Sequence, residues 1–253
     1  MILHAVEAGD GPPLVLLHGL FGSARNFGAV QRHLAARFRV IALDLRNHGD
    51  SPHAATMTYD AMAEDVAETL ARLGVGPAVV VGHSMGGKAA MRLALGRPGV
   101  VARLVVVDIA PAVSPPDLRG YVQAMMALDL APGLTRAAAD AALAAAVPSA
   151  AVRGFLLQNL KFGDAPAWRL GLAEIAAAMP AIEGWEAPEG ARFDGPCLFV
   201  RGERSDYVRP EHRETIRALF PAVRFAMVKG AGHWVHAENP AGFLAVVESF
   251  AGS

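Results

Sequence analysis

A serine flanked by glycines, Gly82-His83-Ser84-Met85-Gly86, stands between a β-branched run, Ala78-Val79-Val80-Val81, and a stretch of helix formers, Gly87 to Leu95. G-x-S-x-G at a strand–turn–helix junction lifts a serine hydroxyl clear of a sheet. The turn is so sharp that side chains two residues either side of the serine would collide, so glycine stands at 82 and 86. A serine hydroxyl is a poor nucleophile at neutral pH. The chemistry therefore calls for a base, and the base for a carboxylate that orients it.

Of the nine histidines, His233 in Gly230-Ala231-Gly232-His233-Trp234 fits the base best. It follows the last strand-like run and precedes the last helix, and glycine before it frees the loop to deliver the ring. His236 reads as a packing or locally bonded residue, His83 as a structural neighbour pointing away from Ser84, and His18, His48, His53 and His212 as loop or packing residues.

Two candidates stay open for the acid. Asp108 closes the run Leu104-Val105-Val106-Val107, and functional groups in open parallel sheets gather at strand ends. Asp206 follows the run ending at Val200, but there the register of a G-x-x-D turn reads Gly202-Glu203-Arg204-Ser205. Serine fills the acid's place and Asp206 comes one residue late, a slip that redirects its side chain. Asp108 is the preferred acid and Asp206 the alternative.

Acyl transfer also needs donors for an oxyanion. His18-Gly19-Leu20-Phe21-Gly22 follows the run Leu14 to Leu17, and the amides of Leu20 and Met85 are the expected pair. Phe21 and Trp234 are the expected substrate-binding walls. The loop Asp44-Leu45-Arg46-Asn47-His48-Gly49-Asp50-Ser51 reads as support rather than chemistry.

The elements that position these residues alternate. Leu14–Leu17, Val40–Leu43, Val79–Val81, Leu104–Val107, Leu198–Val200 and Phe225–Val228 lack polar alternation, as strands of a parallel sheet covered on both faces do. Between them Tyr59 to Leu73 spaces Met62, Val66, Leu70 and Leu73 at helical intervals and stops at Gly74; Lys88–Leu95, Pro210–Leu219 and Pro240–Phe250 also read as helices. The pattern predicts an α/β class with a mostly parallel, doubly wound sheet. From Ala112 to about Ala191 no strand-like run appears, only helical pieces punctuated by Pro115-Pro116, Pro132-Gly133, Pro148, Pro166 and Pro180. Residues 112–191 are thus expected to form a helical cap inserted between two strands of a core made of 1–111 and 192–253. Its Tyr121, Met125, Met126, Phe155, Leu156, Leu160, Trp168 and Trp185 offer a lid, of which about a third should face ligand.

Composition narrows the class. The chain has 253 residues, 53% hydrophobic and 19% charged, enough for a large core and far from disorder. A net charge of −1 gives no basic field for nucleic acid or anionic membrane. Cys197 lies in an apolar run and reads as a core residue. With no signal-type segment and no membrane-length run, a cytoplasmic protein is expected, as monomer or homodimer.

Together these motifs resemble the α/β-hydrolase superfamily over essentially the whole chain, and within it the small serine esterases of the YbfF type and their mitochondrial abhydrolase relatives. The resemblance rests on His18–Ser23 (HGLFGS), Asp44–Ser51 (DLRNHGDS), Gly82–Gly87 (GHSMGG), Asp108–Pro111 (DIAP), Gly232–Ala237 (GHWVHA) and the Ser205-Asp206-Tyr207-Val208 turn. It implies an α/β-hydrolase fold, a Ser84, Asp108, His233 triad, a short helical cap and no metal or organic cofactor. It also implies hydrolysis of carboxylic esters or acyl-CoA thioesters of small molecules. Asp50 departs from the basic residue expected in its loop, at a support position. The same triad also serves acyltransferases, C–C bond hydrolases and cofactor-free perhydrolases, and the same scaffold serves ligand-binding proteins.

Overall fold

The computed structural model describes residues 1–115 and 118–252; Pro116 of the Pro115-Pro116 pair lies outside them. The strands are β1 (Ala5–Ala8), β2 (Pro13–Leu17), β3 (Arg39–Leu43), β4 (Ala78–His83), β5 (Val101–Val107), β6 (Leu160–Lys161), β7 (Ala167–Trp168), β8 (Cys197–Gly202) and β9 (Val223–Val228). The helices are α1 (Gly28–Leu34), α2 (Tyr59–Arg72), α3 (Met85–Gly96), α4 (Arg119–Ala127), α5 (Arg136–Leu143), α6 (Ala150–Leu156), α7 (Leu172–Glu183), α8 (Arg213–Leu219), α9 (Val235–Glu238) and α10 (Pro240–Ala251).

Seven strands form one sheet in the order β1-β3-β2-β4-β5-β8-β9, parallel except for β1. Its central runs, residues 14–17, 40–43, 79–81 and 104–107, are apolar because both faces are covered. Leu14 and Leu16 pack into one layer while Val15 and Leu17 pack into the other; Val79 and Val81 are likewise divided from Val80, and Val105 and Val107 from Leu104 and Val106. The layer with Leu14 and Leu16 is completed by Val30 and Leu34 of α1 and Phe243, Val247 and Phe250 of α10, the layer with Val15 and Leu17 by α2 and α3. In α2 the periodic residues Met62, Val66 and Leu70 are buried, and the Thr58 side chain caps the helix by accepting from the Ala61 N–H.

The strand register sets the site. His83 pairs with Val107 across β4 and β5, and Val107 with Val200 across β5 and β8. The residues that follow, Ser84 and Asp108, therefore leave the sheet side by side.

Three details differ from the sequence-based expectation. β1 gave no apolar run: it is an antiparallel edge strand, only partly buried, and carries Glu7. The insertion between β5 and β8 holds α4 to α7 but also a two-stranded hairpin, β6–β7, with strands too short to register as apolar runs. Pro180 does not punctuate the cap, because α7 continues through it. A proline forfeits its own N–H bond, and packing of Ile175, Met179 and Ile182 outweighs that loss here. Among the described residues no helix is long and apolar enough to cross a membrane.

Candidate active site

Four non-glycine residues have left-handed backbones among those described: Phe21, Asn47, Ser84 and Asp108. All four sit in loops just past strand ends, where strained conformations gather at working sites. Ser84, at φ 52° and ψ −119°, turns the chain from β4 into α3. The turn needs glycine at 82, where a Cβ would come 2.2 Å from the Gly86 carbonyl oxygen. Two bonds extend the ladder beyond the strands: the Ser84 N–H donates to the Val107 carbonyl at 2.9 Å and the Asp108 N–H to the Val200 carbonyl at 2.8 Å.

The side chains meet above this ladder. Ser84 Oγ lies 3.1 Å from His233 Nε2, and His233 Nδ1 lies 2.8 Å from Asp108 Oδ2. Nδ1 faces a carboxylate and so carries the proton, which leaves Nε2 to accept from the serine. Asp108 is fully buried. Its Oδ1 accepts from the Gly202 N–H at 2.9 Å, and its Oδ2 accepts also from the Ser205 hydroxyl. The serine in the acid's usual register is thus a hydrogen-bond donor to the aspartate one strand over. Asp206 is exposed and lines outer grooves.

His233 has aromatic company. The Tyr207 ring stacks on it at 4.2 Å between centroids with 25° between planes, and Trp234 meets it edge-on at 5.8 Å. His83 turns away from Ser84 and donates from Nε2 to the His233 carbonyl at 2.8 Å; burial holds its pKa well below the usual value. His236 is buried among Phe27, His83 and Phe243, its Nδ1 without a partner among the described residues, and burial pushes its pKa down to about 4.

The Gly19 backbone runs close over Ser84, since a Cβ there would lie 3.2 Å from Ser84 Cβ. Leu20 follows it, and Met85 is the first residue of α3, where a backbone N–H has no partner within the helix. The Asp44–Ser51 loop supports this segment. His18 donates from Nδ1 to the Gly19 carbonyl at 2.8 Å and accepts at Nε2 from the Leu45 N–H at 2.9 Å. Asp44 Oδ1 accepts from the Ala24 N–H at 2.7 Å, and such N–H bonds hold the Asp44 carboxyl below the usual range against the opposing effect of burial.

A cavity of about 240 Å³ opens on Ser84, lined by Leu20 and Trp234 and roofed by the insertion. Of the eight apolar cap residues singled out by sequence, Tyr121, Phe155 and Leu156 line it; Met125 and Leu160 are buried elsewhere, Trp168 and Trp185 are half-buried and Met126 is exposed. Leu118 and Val152 line it too, with no sequence signal to mark them. Phe21 does not reach the cavity: it is 2% exposed and packs in the core. Tyr207 and Ser205 stood in a recognised turn, but nothing in the sequence gave them these contacts.

Residues 12–240 match the family model for the alpha/beta hydrolase fold. The chain is 43% identical to the sn-1-specific diacylglycerol lipase ABHD11 of Mus musculus, covering 94% of this chain and 80% of that one. It is 37% identical to the esterase YbfF of Escherichia coli K12, over 95% and 93%. A marine microorganism esterase of known structure superposes with a TM-score of 0.95 at 32% identity, covering 98% of this chain and 99% of that one. The sheet order, the elbow at Ser84 and these matches agree: the chain belongs to the α/β-hydrolase family.

Proposed function

We propose that the chain is a serine esterase that cleaves carboxylic esters, thioesters included, through an acyl-enzyme on Ser84. The observation that carries this is the unbroken relay from Ser84 Oγ through His233 to the buried Asp108 carboxylate. In the first step His233 Nε2 takes the serine proton as Oγ attacks the ester carbonyl. Asp108 holds the imidazolium that forms, and the Tyr207 ring face lies against that cation. The Leu20 and Met85 amides receive the oxyanion. His233 then protonates the leaving group, and water repeats the sequence to release the acid. The acyl chain lies in the apolar cavity against Phe155 and Trp234. Relatives named esterase and lipase favour this substrate class.

The test is kcat/KM on p-nitrophenyl esters of rising acyl length, for the wild type and Ser84→Ala, with fluorophosphonate capture alongside. Ser84→Ala should lose about 10⁶-fold in kcat and all capture. Equal turnover by the two proteins would sink the reading.

A further inference from the structure

The segment carrying the Leu20 amide is a β-turn, closed by the Gly22 N–H donating to the Gly19 carbonyl at 2.9 Å. Its third residue, Phe21, has φ 61°, as in a turn that normally demands glycine there. A phenylalanine in that conformation must be held from outside. Two hydrogen bonds hold it. The Phe21 N–H donates to Nε2 of buried His48 at 3.2 Å, and the Phe21 carbonyl accepts from Nδ2 of buried Asn159 at 2.7 Å.

These two supports come from different parts of the molecule. His48 belongs to the core loop after β3. Its Nδ1–H donates to the Arg46 carbonyl at 2.9 Å, so Nε2 is free to accept, and burial, which pushes its pKa down to about 3, keeps it neutral. Asn159 belongs to the cap, 138 residues beyond Phe21. The cap residue before it, Gln158, accepts from Asn26 Nδ2 at 3.0 Å, and Asn26 Oδ1 accepts from the Ser23 N–H at 2.6 Å. Two adjacent cap side chains thus engage two points of the segment that begins at the expected oxyanion donor.

We propose that Asn159 is a positioning residue through which the seated cap fixes the Leu20–Phe21 turn and so aims the Leu20 amide. Only rotations about Leu20 and Phe21 separate that amide from the Phe21 carbonyl. Without Asn159 the turn relaxes toward an unstrained backbone, and the donor moves off the place where negative charge develops. The cap then does more than cover the cavity: it completes the electrostatics beneath. This rests on the reading of Leu20 as an oxyanion donor.

The experiment compares Asn159→Leu, which keeps the shape and removes the donor, with Arg169→Met. The latter breaks a cap–core ion pair to Asp50, 2.6 Å long and not made to the turn. The substrate is p-nitrophenyl acetate, whose methyl group draws little on the cap. Affinity for a trifluoromethyl ketone, which forms a tetrahedral oxyanion on serine, is read against the matching methyl ketone. Asn159→Leu should lower kcat about ten- to a hundredfold, part of what loss of a whole donor costs, with KM within about twofold. It should lose trifluoromethyl ketone affinity by the same factor, while Arg169→Met stays within about twofold on both. If Asn159→Leu does not fold, Asn159→Ala carries the same expectation, because a water bonded to the carbonyl does not fix its direction. The proposal is overturned if the Asn159 variants keep kcat and ketone discrimination, or if Arg169→Met loses as much as they do. A wild-type enzyme that does not favour the trifluoromethyl ketone removes the oxyanion reading itself, and this proposal with it.

Discussion

The loops at the strand ends and the helical insertion above them face one cavity from opposite sides, yet they are held by different means. At the strand ends the ladder itself does the positioning. Ser84 and Asp108 each bond through their own N–H to the neighbouring strand, and backbone and side chain at Gly202 and Ser205 complete the Asp108 carboxylate. Among the described residues the insertion contributes no strand to the main sheet; apolar packing and one backbone bond, from the Gly171 N–H to the Asn47 carbonyl at 2.9 Å, hold it, and individual side chains tie it further. The buried Lys88 ammonium donates to Ser114 Oγ at 2.9 Å and to the Glu183 and Gly184 carbonyls at 3.1 and 3.0 Å, at the carbonyl end of α7. The Tyr59 hydroxyl donates to the Ile182 carbonyl at 2.6 Å, and Asn159 reaches Phe21. Lys88 lies one turn beyond Ser84 on α3, so the helix that follows Ser84 also anchors the cap; burial pushes the pKa of this cation down to about 8. A ladder fails or holds as a whole, whereas isolated ties are cut one by one. Changes at the strand ends should therefore alter rate by orders of magnitude, and changes in the cap, Asn159 apart, should mainly alter which ester is used.

The largest effect expected at the strand ends separates the two acids. Asp108→Asn keeps the size of the side chain, but with its oxygen kept by the Gly202 N–H it turns an N–H toward His233 Nδ1, which favours the wrong tautomer. A fall of about 10⁴ in kcat at near-normal thermal stability is expected. Asp206→Asn should stay within about twofold, as an exposed charge outside the relay does. Activity assays on the two purified variants decide it: the comparison breaks if Asp206 is the costly one.

How much of this the sequence disclosed follows the same division. The strand ends were legible because backbone constraints leave residue-type signatures: glycine at 82, an aspartate ending a β-branched run at 108, glycines before His233. The fold followed from runs apolar on both faces. Phe21, expected as a substrate-binding wall, packs in the core instead, because the turn at Leu20–Phe21 directs its ring there. Asn159, Lys88 and Tyr59 act through contacts between residues far apart in sequence, and no local pattern encodes such pairs. The cap residues over Ser84 were hidden for a plainer reason: apolar side chains look alike whether they face a ligand or another helix.

In the cap the expected effect is smaller and concerns substrate choice. The rings of Phe155 and Trp234 lie 6.1 Å apart and line both the inner cavity and an outer groove of about 650 Å³. For the wild type each methylene sheltered in the cavity is worth about 0.8 kcal/mol, up to about fourfold in kcat/KM, until the chain meets this pair. Phe155→Ala joins the two spaces, so the optimum should move to longer acyl chains with acetate turnover within about twofold. Profiles of kcat/KM against chain length check it. An unchanged optimum would mean that the acyl group lies elsewhere and that the cap does not set length.

The smallest expected effect is on stability, and it again falls on one region. All nine histidines lie outside 112–191; of the buried ones, His18 and His48 sit in strand-end loops, His83 ends β4 and His236 lies in α9. Burial lowers the folded-state pKa of His48 to about 3 and of His236 to about 4, against an ordinary 6.5. Below 6.5 the unfolded chain takes up protons that the folded chain refuses, so stability is full above that value and falls with decreasing pH toward the folded pKa. For His236 alone this amounts to about 2 kcal/mol between pH 7 and pH 5. His236→Phe keeps a ring against Phe27 and Phe243 and removes a buried nitrogen that has no partner among the described residues. Urea unfolding at the two pH values should show the variant losing about 2 kcal/mol less than the wild type on acidification. Equal losses would mean that His236 charges in place, with water reaching its ring, and that the packing around α9 is looser under acid than the ladder beside it.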